Sequence, residues 1–318
     1  MSSSLIGPFV GFHHQALLIG VVWPEGKGNV GHGCNCGSNH TGKAPDQEFW
    51  PGEGMFLGLG VNVKFPGCFT EAPYTFIATG TNLAPQRVAF PFSLIAPPSR
   101  YPRHVRPGLN EIIPGWVLDR NLFALLRGEQ KFAERDRSFR SQLERRVFRR
   151  EIIERMLAAR ARLAEIEGEE VYTESEAEGL GENFLTEKSR LRAMEVYSFH
   201  IQLFALEGLF LRCADRGKVS STLIRRPSAD PEWEFRRTLI LSEGLGSSPS
   251  ELLRLYVERM KTVALRIEES KSRDDQRGAR SIPDYADHHL LAAENRFVRD
   301  FRDKVAAVED QVLDLVEG

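Results

Sequence analysis

The residues best suited to chemistry crowd into the first fifty positions. His13 and His14 stand side by side, His32, Cys34 and Cys36 follow at two-residue spacing, and Asn39, His40, Lys43, Asp46 and Glu48 share one polar segment. An imidazole titrates near neutral pH, so it can take a proton from an incoming amine or hydroxyl at little cost. In residues 37–48 the candidate base is His40. Asp46 or Glu48 can orient its ring, and Lys43 can meet a phosphate.

Thiols and imidazoles also suggest metal chemistry, because zinc prefers those ligands. Cys34, Cys36, His32 and His40 are the residues in question. Cysteines two apart on a strand send both thiols to one face, however. A small residue on the inward face at Cys36 then reads as core, and no metal is expected. Four cysteines in 318 residues do not make a disulfide framework, and they read as reduced thiols.

Several other chemistries have no counterpart in the chain. There is no Gly-x-x-x-x-Gly-Lys-Ser/Thr phosphate loop, no strand–GxGxxG–helix unit and no Gly-x-Ser-x-Gly elbow. Lys and Arg total 42 against 44 Asp and Glu, a net charge of -2, so no basic field draws in nucleic acid or anionic lipid. The basic run Arg145-Arg146-Val147-Phe148-Arg149-Arg150 has Glu144, Glu151 and Glu154 beside it and reads as a solvated helix face. No apolar run reaches the roughly 18 residues of a transmembrane helix. The first residues lack a basic region followed by an apolar one, as a signal peptide would need. A cytoplasmic protein is expected.

Two kinds of sequence must position these residues. Up to about Pro98 the chain is rich in Gly, Pro, Phe and Val; beyond Tyr101 it turns to Arg, Glu, Leu and Ala. In the first part helical periodicity fails and a six-residue beat replaces it. Val30 and Cys36 are six apart, as are Leu57, Val63 and Phe69, and, after a two-residue slip, Ile77, Leu83 and Ala89. Several of these carry a tiny neighbour, as in Val30-Gly31, Cys36-Gly37, Leu57-Gly58 and Ile77-Ala78. An inward aliphatic followed by a residue small enough for a tight corner is what a left-handed parallel β-helix needs, with three six-residue faces to a coil.

The spacing predicts such a β-helix over residues 1–96, a Pro-rich connector over 97–117 and an α-helical domain over 118–318. Helical blocks are expected over 118–166 with a break at Gly128, over 186–213, and over 249–269 and 283–316. The last two start at prolines, with Ser248 and Ser281 placed upstream as caps. Ile6-Gly7 already has the form of a corner, so the first coil is expected to be covered by another subunit or by an upstream segment, the chain being incomplete at its N-terminus.

Residues 13–20 (His-His-Gln-Ala-Leu-Leu-Ile-Gly), then Gly28-Asn29-Val30-Gly31 and Cys34-Asn35, with Gly37, Asn39 and Lys43, resemble the acetyltransferase β-helix of the bacterial glucosamine-1-phosphate acetyltransferase / N-acetylglucosamine-1-phosphate uridylyltransferase family. Residues 56–81 resemble the closing coils of hexapeptide-repeat acyltransferases in general. The chain as a whole is also similar to the C-terminal part of a bacterial family of unknown function that joins such a β-helix to a helical tail. The acyltransferase likeness implies a catalytic histidine at His14, or at His13 if the register moves by one. It implies acetyl-CoA or another acyl-CoA as co-substrate, and a sugar or nucleotide-sugar amine or hydroxyl as acceptor. His13, Asn39, Lys43 and Asp46 would then bind acceptor or acyl-CoA, with His40 a second candidate base on a protruding loop. Where that family has Tyr-Asp after the asparagine, this chain has Cys36-Gly37, so the acceptor is left broad. Hexapeptide proteins form closed threefold rings, and a homotrimer is expected. The alternative is a non-catalytic β-helix scaffold whose helical tail mediates assembly.

Overall fold

A computed structural model describes residues 1, 3–37 and 48–317. The chain forms two compact units. One combines Met1–Leu118 with Glu151–Tyr197, the other Asp119–Arg150 with Ser198–Gly318.

The first unit is built on a parallel β-solenoid of about 4 turns. One face stacks Gly11–Phe12, Asn29–Val30, Phe56–Leu57, Phe76–Ile77 and Leu94–Ala96, all parallel. A second stacks Leu17–Leu18, Asn35–Cys36, Asn62–Val63 and Asn82–Leu83. The third pairs Leu5–Ile6 with Val22–Trp23, and Phe49–Trp50 with Gly67–Cys68 and Gln86–Arg87. A single bridge from Val21 to Phe49 links those two sets.

The six-residue beat is the spacing from face to face. Val30, Leu57, Ile77 and Ile95 fill one inward column, and Leu18, Cys36, Val63 and Leu83 fill the next, all essentially inaccessible to water. Phe69 and Ala89 are buried too. The two-residue slip lies between Phe69 and Ile77, where Ala72 N–H bonds back to the Phe69 carbonyl and Tyr74 takes a φ of 58°. The tiny residues at the corners are sterically required. A Cβ on Gly31 would lie 2.7 Å from the backbone of Gly58, and one on Gly58 would lie 2.7 Å from the Thr79 nitrogen.

After the last coil the chain reverses. Asn110–Ile113 pairs antiparallel with Leu94–Ala96, Asn183–Thr186 adds parallel to it, and Val171–Tyr172 closes the sheet. The expected connector therefore contains a strand. Side chains and backbone from 151–197 fasten this end. Tyr197 Oη donates to the Pro91 carbonyl (2.6 Å), Ala89 N–H donates to the Gly179 carbonyl (2.9 Å), and Asn183 Nδ2 donates to Gln86 Oε1 (2.7 Å).

The helices are α1 (Trp116–Arg120), α2 (Leu122–Arg135), α3 (Arg150–Ala164), α4 (Glu187–Arg216), α5 (Thr222–Arg225), α6 (Pro231–Ser242), α7 (Pro249–Ser281), α8 (Tyr285–His288) and α9 (Arg296–Glu317). In the second unit α7 is the longest element. It buries Leu252, Leu253, Tyr256, Val257, Met260, Val263 and Ile267 along one stripe at three- and four-residue spacing. Ser248 caps α7 through Glu251 N–H, as expected. None of the helices among the described residues is long and apolar enough to cross a membrane.

Four helical expectations need correction. Gly128 does not break α2, since an exposed helix tolerates one glycine for about 1 kcal/mol. The interruption is at 136–149 instead. The basic run is accordingly an ion-paired bend rather than a helix face: Arg145 meets Asp136 (2.8 Å), Arg146 meets Glu207 (2.7 Å), and Val147 is buried. Ser281 ends α7 and caps nothing. Pro283 stops that helix, and the last long helix begins only at Arg296.

Candidate functional site

The corner after Gly11–Phe12 carries His13 and His14, both exposed. Its backbone is tied to the coil below. His13 N–H donates to the Val30 carbonyl (3.0 Å), and Gln15 turns the chain with a φ of 58°. The same corner recurs on each coil. Gly33 N–H donates to the His14 carbonyl, Gly60 N–H to that of His32, and Gly80 N–H to that of Leu59. His14, His32, Leu59 and Thr79 therefore occupy one position on successive rungs, and all four are exposed. Neighbouring parallel strands lie about 4.8 Å apart, so His14 and His32 sit on adjacent rungs at one edge.

The sequence reading treats His32 only as a metal ligand and does not connect it to His14. The signal is their separation of 18 residues, one coil of three six-residue faces. Among the described residues no side chain hydrogen-bonds either His13 or His14. Asn39, His40, Lys43 and Asp46 lie outside the described residues. Glu48, one of the two carboxylates considered for orienting His40, accepts the Trp50 indole N–H instead (2.9 Å).

Cys34 and Cys36 both point into the core, with their sulfurs 3.8 Å apart in a thiol–thiol hydrogen bond and not in a disulfide. The contact with Cys34 and burial together push the Cys36 thiol well above its usual range. A thiol held neutral in this way is a poor nucleophile and a poor ligand. His32 is exposed at the corner, and among the described residues no group of three or more His, Cys, Asp or Glu side chains could hold a metal ion.

A polar cluster that sequence reasoning missed sits in the solenoid wall. Glu53, 5% exposed, takes Lys27 Nζ at 2.7 Å and Tyr74 Oη at 2.7 Å. Lys27 is half-buried and holds a φ of 60°. A carboxylate removed from water needs such partners. Its components come from successive coils, so nothing in the local sequence joins them.

The chain is similar to a protein of Treponema pallidum (strain Nichols) described as uncharacterized, with 32% identity over 136 residues. That match takes in 42% of this chain and only 18% of the relative's length. No family profile matches the chain. No solved structure matches it.

Proposed function

We propose that the solenoid is an acyl-transfer module that moves an acyl group from a coenzyme A thioester to an amine or hydroxyl of a sugar or nucleotide-sugar. The observation that carries this reading is the exposed corner ladder, where His14 projects unencumbered with His32 one rung below. The resemblance of residues 13–35 to the acetyltransferase β-helix supports it. His14 takes the proton as the acceptor attacks the thioester carbonyl. The tetrahedral oxyanion collapses, the carbon–sulfur bond breaks, and the imidazolium returns its proton to the departing thiolate. His40 covers the acceptor, while His13, Asn39, Lys43 and Asp46 bind acceptor or acyl-CoA. The cytoplasm, where acyl-CoA is made and used, is the compartment that fits this chemistry.

The test has two arms. Acetyl-CoA at a hundredfold excess over its Kd should stabilise the chain by about 2.7 kcal/mol. With transfer established, His14→Ala should lower kcat on the order of 10²–10⁴-fold with little change in KM, and His40→Ala should chiefly raise KM. The reverse pattern moves the base to His40. No stabilisation by any acyl-CoA at millimolar concentration rejects the reading.

One observation favours a second reading, a non-catalytic β-helix scaffold that assembles into a trimer: the first coil carries an apolar surface. Leu5, Phe9, Phe12 and Leu17 are all at least 36% exposed there, on one end of the solenoid. Light scattering decides it, since a well-folded monomer excludes that assembly.

A further inference from the structure

The helical unit contains a cavity that acyl transfer by the solenoid does not use. It has a volume of 420 Å³ and is lined from α2, the second part of α4, α7 and α9, a size typical of small-molecule sites. Leu126, Leu203, Phe297 and Phe301 supply apolar wall, and Phe148 stacks on the ring of His200 at its border. His200 is fully enclosed, and burial beside Arg266 lowers its pKa to about 3. The imidazole is neutral and adds no charge to the lining.

The charges around the cavity are mostly spoken for. Arg145 is held by Asp136, Arg146 by Glu207, and Asp300 by Arg296 on its own helix (3.4 Å). Glu207 is shared with Arg236 (3.2 Å). Among the described residues, Glu129 and Lys304 have no ion-pair partner within contact distance. Lys304 is exposed on the rim, with its ammonium 5.8 Å from the centre of the Phe301 ring. Glu129 is half-buried and accepts only the Val147 N–H, at 2.6 Å. Its carboxyl is raised above the usual carboxylate range by burial and by Glu207, against the pull of Arg146 and Lys304.

We propose that this cavity binds a hydrophobic amine, an alkyl- or arylammonium ion whose nitrogen rests against Glu129 and whose hydrocarbon lies between Leu126, Phe297 and Phe301. A carboxylate short of water is stabilised by a cation brought to it, and aromatic faces favour the same charge. A bound anion would meet the unpaired carboxylate of Glu129, whereas Glu207 and Asp300 are already neutralised by Arg146 and Arg296. Lys304, on a long stem at the rim, can turn its ammonium to solvent.

Calorimetric titration of the full chain with octylammonium, 1-octanol and octanoate tests this. The amine should bind about tenfold more tightly than the alcohol, a step of about 1.4 kcal/mol, and octanoate more weakly still. Glu129→Gln should erase the advantage of the amine and leave the alcohol unchanged. Affinity for the amine should fall as pH drops and Glu129 takes up its proton, with proton release visible as buffer-dependent heat. Leu126→Trp fills the cavity and should abolish binding of all three. Octanoate binding as tightly as the amine, an unchanged amine affinity in Glu129→Gln, or no saturable binding of any probe overturns the proposal.

Discussion

At the C-terminal end of the solenoid the last parallel rung meets an antiparallel strand, and residues 151–197 bond to its exposed backbone through Gly179 and Tyr197. At the other end, among the described residues, the strands of the first rung pair with those of the second. Phe12, in register with Val30, Leu57, Ile77 and Ile95, is 45% exposed where the lower members of its column are sealed. A repeat of identical coils has no intrinsic way to stop. Stopping takes a change of strand direction and a cover, and both are present at the C-terminal end.

Substitutions along that column measure the contrast. Ile95→Ala, at the covered end, should destabilise the first unit by about 2–5 kcal/mol in urea unfolding, the range for a buried aliphatic truncated in a packed site. A loss below about 1 kcal/mol would mean that the cover does not seal the column. The pH response belongs elsewhere. His200 is held at about 3 against an unfolded value near 6.5, so its neutral form favours folding fully above about pH 6.5, and that contribution is lost as pH falls toward 3. At pH 5 the loss should be about 2 kcal/mol. His200→Phe should flatten stability between pH 7 and 5, and variants at either end of the solenoid should not.

Tyr197→Phe removes one fastening of the covered end and leaves the Pro91 carbonyl without its donor. The expected loss is about 1–2 kcal/mol, read as faster amide exchange in Leu94–Ala96. The smallest effect should come from Phe12→Ala, under about 1 kcal/mol, because its ring already meets water. A loss equal to that of Ile95→Ala would show the first coil to be covered in solution, and concentration dependence of that loss would identify a second copy as the cover.

The solenoid was legible because its rule is local. An inward residue recurs every six positions and at several corners is followed by a tiny one, as in Val30-Gly31 and Leu57-Gly58, so the pattern can be read along the chain. Neighbours across rungs are not local, which is why the pairing of His14 with His32 and the Lys27–Glu53–Tyr74 cluster escaped notice. Helix α6 was missed for a different reason. Arg236 and Arg237 lie in its buried stripe, paired with Glu232 and Glu234 on the same helix, and these charges mask the apolar period. The cavity was invisible in principle, since four separate helices contribute its walls.

The coil intervals carry one more consequence. Phe12 to Val30 and Ile77 to Ile95 each take 18 residues, Leu57 to Ile77 takes 20, and Val30 to Leu57 takes 27, yet every pair keeps its register. Extra residues enter between faces and leave the pitch untouched. The solenoid thus behaves as a ruler with insertion slots: sequence length varies at the edges while the height of every rung is conserved. The nine surplus residues between Cys36 and Phe49 leave the register of the rungs above and below unchanged.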